Sequence, residues 1–109
     1  MSRTVMDEIK QEVESHPVLI YMKGTKEMPQ CGFSAAAVQV LGSYGFPIKD
    51  VNILVDQEKW AAVKTFSQWP TIPQIYIGGK FIGGCDIIRE MHARGEIAPL
   101  IEQAFAAKR

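Results

Sequence analysis

Apolar residues recur every three or four positions in the first segment, TVMDEIKQEVES, where Val5, Met6, Ile9 and Val13 are separated by charged side chains. That spacing predicts a helix, ended at His16-Pro17 because proline disfavours a helical residue before it. The pattern then changes. VLIYM, residues 18–22, is continuously apolar and partly β-branched, as expected of a central strand covered on both faces. A loop with Gly24 and Pro29 leads to Cys31, and the alanine-rich stretch from Ser34 to about Leu41 predicts a helix closing around Gly42 to Gly45. KDVNIL alternates Val51 and Ile53 with Asp50 and Asn52, which suits a half-buried strand. Asp56 is placed to cap a helix through QEKWAAVKTFSQ, with Trp60 and Val63 on its apolar side. In QIYIGGKFIGG two apolar strands flank Gly78-Gly79, residues that tolerate the positive φ of a two-residue hairpin turn. DIIREMHARG predicts a helix ending at Gly95, and Pro99 suits the first turn of a last helix through Leu100, Ile101 and Phe105.

The first two strands, joined through a helix, should be parallel with a right-handed crossover, and the last two form an antiparallel hairpin. The expected fold is α/β, a four-stranded mixed sheet flanked by helices on both faces, which is the thioredoxin-like arrangement. No repeat, linker or low-complexity stretch interrupts the 109 residues, so 1–109 reads as one domain. An apolar fraction of 47% and a charged fraction of 22% are ordinary for a globular chain. The formal net charge of zero argues against nucleic acid or an anionic membrane as partner. No apolar run approaches the ~20 residues of a membrane span, and MSRTVMDEIKQ lacks the apolar core of a signal peptide. A cytoplasmic location, where thiols stay reduced, is the simplest expectation. Cys31 and Cys85 are then candidates for chemistry before they are candidates for a structural bridge.

Cys31 follows a strand-end loop and leads into a helix, where free N–H groups and the helix dipole favour a thiolate. Lys23 could add positive charge nearby. A free cysteine is more often a small buried apolar residue, but PQCGFS is polar and glycine-containing, a poor core stretch. Pro73 stands just before a strand, where its missing N–H is tolerable. A cis Ile72–Pro73 bond would leave the N–H and C=O of Ile72 free to pair with an extended peptide; a rigid turn entering an edge strand accounts for Pro73 equally well. In GGCD, residues 83–86, the glycines allow close backbone approach and the helix start could bind a carboxylate, with Asp86 holding an ammonium group. An ordinary turn capped by Asp86, with Cys85 packing, is the plainer alternative. Trp69, Phe33 and Tyr21 read as core or pocket wall, His16 and His92 as structural or solvated, and Lys10, Lys26, Lys49, Lys59 and Lys80 mostly as solvated surface.

With YMKG, PQCGFS, WPTIPQIYIGG and GGCDI in that order, the sequence closely resembles the monothiol, CGFS-type glutaredoxins in their short single-domain form. The resemblance spans roughly residues 17–95. It implies a site for glutathione in which Lys23, assisted by Lys64, binds the glycyl carboxylate, Ile72 pairs its backbone with the cysteinyl portion, and Thr71 is a further binding residue. Cys85 and Asp86 would then hold the γ-glutamyl end, with Cys31 as the reactive sulfur or metal ligand. One departure stands out: Trp60 aligns with the arginine usual near the start of the third helix. That carboxylate contact would be weaker, taken over by Lys59, or replaced by packing.

A Cys-Gly-Phe-Ser motif has the spacing of a two-cysteine redox site with the resolving sulfur missing. One use is cluster carriage. A 2Fe-2S cluster usually takes four thiolates; two chains would supply two Cys31 ligands and two glutathione molecules the others. Such a homodimer could release its cluster to apo iron–sulfur proteins, and by resemblance BolA-type proteins are further partners. The other use is glutathione-dependent oxidoreduction, in which Cys31 takes glutathione from a mixed disulfide and a second glutathione resolves it. Ser34 cannot resolve anything; Cys85 could, if the fold brings it close. A redox-silent adaptor using the same face is a third reading.

Overall fold

In the computed structural model, which describes residues 4–108, the chain runs α1 (Val5–Ser15), β1 (Val18–Met22), α2 (Gly32–Gly42), β2 (Lys49–Asn52), a 3-10 turn (Ile53–Val55), α3 (Gln57–Ser67), β3 (Gln74–Ile77), β4 (Lys80–Gly83), α4 (Cys85–Ala93) and α5 (Ile97–Ala107). The sheet order is β2-β1-β3-β4. β1 pairs in parallel with β2 and antiparallel with β3, and β3 pairs antiparallel with β4. This is the thioredoxin-like fold expected from the sequence.

The apolar run of β1 has a direct explanation. Val18, Ile20 and Met22 face a core completed by Ala37, Leu41, Ile88 and Ile101, from α2, α4 and α5. Leu19 and Tyr21 face a second core with Ile9, Val13 and Val63, from α1 and α3. Successive side chains of a strand point to opposite faces, so a strand with helices on both sides has no polar position to alternate with. In α1, Val5 packs against the second core while Met6 is turned outward and is 39% exposed. The Tyr21 hydroxyl donates to Glu12 Oε1 at 2.7 Å, and Lys59 Nζ donates to Glu12 Oε2 at 2.7 Å. Burial, reinforced by the Glu12 carboxylate, pushes the Tyr21 phenol well above its ordinary range.

Three boundaries differ from the sequence expectation. α2 begins at Gly32, two residues before Ser34, with Cys31 as its N-cap. β2 stops at Asn52, before Ile53 and Leu54, because the Asn52 side chain accepts the Leu54 N–H at 3.0 Å and turns the chain into the 3-10 segment. α3 ends at Ser67, with Gln68 left-handed at φ 54. The Gly78-Gly79 hairpin has both φ values positive, 63 and 79, as its turn requires. Asp56 caps α3 through its Oδ1 and the Lys59 N–H.

Candidate functional site

A cavity of about 410 Å³ opens where the ends of β1, α3, β3 and α4 meet. Lys23, Lys64, Thr71, Ile72, Cys85 and Asp86 all line it, so the fold brings together six residues from four separate segments of the chain. The volume lies within the range of small-molecule sites.

Each wall is held by local structure. Gln74 is fully buried, and its Nε2 donates to the carbonyl oxygens of Trp69 at 3.0 Å and Thr71 at 3.3 Å, fixing the WPTIP turn. The Ile72–Pro73 bond is cis. Among the described residues, no backbone hydrogen bond takes up the N–H or C=O of Ile72. A Cβ on Gly84 would lie 3.2 Å from the Pro73 carbonyl oxygen, so glycine permits this close approach of the α4 start to the turn. Asp86 does not cap α4, contrary to the plainer expectation. Gly84 is the N-cap, and Asp86 sits exposed in the first turn and lines the cavity. Cys85, the first residue of α4, is buried in the wall.

Cys31 is not part of the cavity wall. It stands partly exposed beside it at the N-cap of α2, while Phe33, two residues on and 62% exposed, reaches the rim. An N-cap side chain faces the N–H groups of the first turn. No cap hydrogen bond of full geometry forms to the sulfur. The Ser34 N–H is nevertheless the foremost influence holding the Cys31 thiol below its ordinary range, partial desolvation opposes it, and the Phe33 N–H, the Lys23 charge and the Ser34 hydroxyl add to the lowering.

Ser34 has a part that its place in the motif does not suggest. Its fully buried Oγ accepts the Lys23 N–H at 3.1 Å, tying the end of β1 to the start of α2, while its proton remains free to face the sulfur. Ser34→Ala should cost about 1–2 kcal/mol, the effect of leaving that N–H unpaired. The pH midpoint of Cys31 alkylation by iodoacetamide should rise, yet stay below that of a free thiol because the backbone N–H at position 34 remains. An unmoved midpoint would remove the hydroxyl from the site's chemistry.

Two expectations about lysines change. Lys59 does not replace the missing arginine: it is 7% exposed and turned toward α1, with Nζ 2.7 Å from Glu12 and 3.6 Å from Glu8. Lys59 is therefore not solvated surface either. Instead Trp60 itself lines the cavity, with Lys23 Nζ 5.5 Å and Lys64 Nζ 5.6 Å from its ring centroid. Trp69 also lines the cavity, as pocket wall, and its buried Nε1 has no hydrogen-bond partner among the described residues. Sequence reasoning missed Pro70 and Ile87 in the wall; their only signal was adjacency to the motifs. Among the described residues, no three His, Cys, Asp or Glu side chains gather as a metal site, and no helix is long and apolar enough to cross a membrane.

The glutaredoxin family model matches residues 18–82. Monothiol glutaredoxin-S15, mitochondrial, of Arabidopsis thaliana is 56% identical over 94 residues, covering 86% of this chain and 56% of that protein. The chain thus spans little more than half the length of that relative. The solution structure of reduced poplar apo GrxS14 is 44% identical with a TM-score of 0.83, covering 94% of each chain. The buckwheat glutaredoxin–glutathione complex is 25% identical with a TM-score of 0.83, covering 94% of this chain and 91% of that one. The order of motifs, the fold and these likenesses agree: the chain belongs to the glutaredoxin family, among its monothiol members.

Proposed function

We propose that this chain binds glutathione in the cavity and, as a homodimer, carries a 2Fe-2S cluster that it passes to apo iron–sulfur proteins. One observation carries the reading: an accessible thiol, held toward its thiolate at the start of α2, with a serine where a resolving cysteine would stand. Glutathione is the ligand the glutaredoxin family uses, and the buckwheat relative was solved with it. The cavity suits a peptide carrying two carboxylates and one ammonium group. Lys23 and Lys64 offer positive charge to one carboxylate, and the first-turn N–H groups of α4 at Cys85 and Asp86 offer donors to the other. The Asp86 carboxylate faces the ammonium, while Thr71 and the open backbone of Ile72 accompany the cysteinyl portion.

A cluster is cargo here. One chain offers one accessible thiolate, and four are needed; a second chain and two glutathione sulfurs complete the set. Ligands that exchange with free glutathione let the cluster leave more readily than four protein side chains would. BolA-type proteins fit as partners that take the place of one chain. The assembly requires a compartment where thiols stay reduced, the cytosol in the simplest case.

The test is anaerobic reconstitution of the full chain with iron and sulfide, with and without glutathione. A coloured dimer with two irons and two glutathiones per two chains should form only when glutathione is present. Equal assembly without it would overturn the ligand set.

The lowered Cys31 thiol also favours a second reading, glutathione-dependent oxidoreduction. Cys31 thiolate attacks the glutathionyl sulfur of a mixed disulfide, the target protein leaves as its thiolate, and a second glutathione thiolate releases Cys31 as glutathione disulfide forms. Steady-state deglutathionylation at the rate of a two-cysteine glutaredoxin would favour this reading over carriage.

A further inference from the structure

Both tryptophans of the chain face the same cavity. Trp60 does so from the first half of α3, and its ring gathers ammonium groups from two separate elements. Lys23 Nζ arrives from the loop after β1, and Lys64 Nζ from one turn further along α3. Both lie within the ~6 Å at which a ring's quadrupole attracts a cation. Among the described residues, no carboxylate forms an ion pair with either.

A lysine ammonium is a point charge on a flexible four-carbon stem, and it carries no geometric preference for a carboxylate of its own. Left alone, two such groups in one wall would move apart through mutual repulsion. A shared aromatic ring gives each a preferred place. It also keeps two positive charges, neither of them tied into an ion pair among the described residues, at the cavity wall, where an anionic group of a ligand can meet both.

We propose that Trp60 is a positioning residue: its ring holds the Lys23 and Lys64 ammonium groups as a two-pronged clamp on the glycyl carboxylate of glutathione, and so sets the site's preference for a free carboxylate there. This rests on the glutathione reading above. The clamp acts through charge alone, so the ligand's amide backbone and thiol are recognised independently of it.

The test compares reduced glutathione with its glycyl ethyl ester by calorimetry on the full chain, in wild type, Trp60→Phe and Trp60→Leu. Trp69 remains in every variant as a fluorescence reporter of fold and binding. Wild type should prefer the acid. Trp60→Leu should bind the acid about 5- to 20-fold more weakly while ester binding changes less than about twofold, so the preference collapses. Trp60→Phe, which keeps an aromatic face, should hold the preference within about threefold of wild type. Equal loss of acid and ester in Trp60→Leu, or a Phe variant no better than Leu, overturns the clamp and leaves Trp60 as plain wall. Wild type that binds neither ligand overturns the glutathione reading and the clamp with it. Should Trp60→Leu fail to fold, Trp60→Met carries the same expectation.

Discussion

Cys31→Ser is expected to abolish cluster assembly while leaving the protein folded. A serine hydroxyl stays protonated at neutral pH, so the one accessible ligand sulfur of each chain is lost and the iron content should fall to below about 5% of wild type. The fold should tolerate the change because Cys31 is the partly exposed N-cap of α2 and serine is a preferred N-cap residue; stability should hold or rise by up to about 1 kcal/mol. Cys85→Ser is the discriminating partner. Cys85 is buried in the cavity wall, out of reach of a cluster shared with a second chain, so most of the cluster should survive. Iron, sulfide and glutathione measured after anaerobic reconstitution, with circular dichroism on each variant, decide the matter. Loss of the cluster in Cys85→Ser with retention in Cys31→Ser would reverse the ligand assignment.

What the sequence could reveal was set by how local each cause is. The hairpin follows from two adjacent glycines, and the burial of β1 from five adjacent apolar residues, so both could be read directly. The alanine-rich run put the start of α2 at Ser34, since cysteine is not a usual helix cap, although the expected thiolate already required Cys31 to stand at a helix start. β2 ends early because Asn52 bonds to Leu54 and also to the Gly24 N–H, and the second of these partners comes from a distant loop. Lys59 resembled solvated surface because its partner Glu12 lies 47 positions away, on a different helix. The cavity residues became legible only as an ordered set of motifs; no single one specifies a cavity. Trp60 could be seen as a departure from the family pattern, but its two lysines are brought to it by the fold.

Gly24→Ala should be among the most disruptive single-methyl changes available in this chain. Gly24 has φ +90, a conformation that costs an L residue roughly 1–2 kcal/mol by itself. An added Cβ would also lie 2.5 Å from the Met28 carbonyl oxygen and 2.6 Å from the Gln30 nitrogen, and both are backbone atoms. That backbone has little freedom to retreat. The Gln30 N–H donates to the Lys23 carbonyl at 2.9 Å, Thr25 and Met28 exchange backbone hydrogen bonds, and Gly24 forms a bridge with Pro29. The Gly24 N–H is itself held by Asn52 Oδ1 at 3.0 Å. The expected loss is roughly 2–4 kcal/mol, or about 10–20 °C in Tm for a domain of this size. The loop joins Lys23 to Cys31, so its displacement should also weaken the Lys23–Ser34 tie and slow Cys31 alkylation at neutral pH. Gly45→Ala isolates the two causes. Gly45 has φ +79 but nothing within 4 Å of an added Cβ, so it should lose only about 1 kcal/mol and leave Cys31 unchanged. Equal melting of the two variants would mean that the loop yields to the methyl group, and a loop that yields so easily could not hold the thiol and Lys23 in a fixed relation.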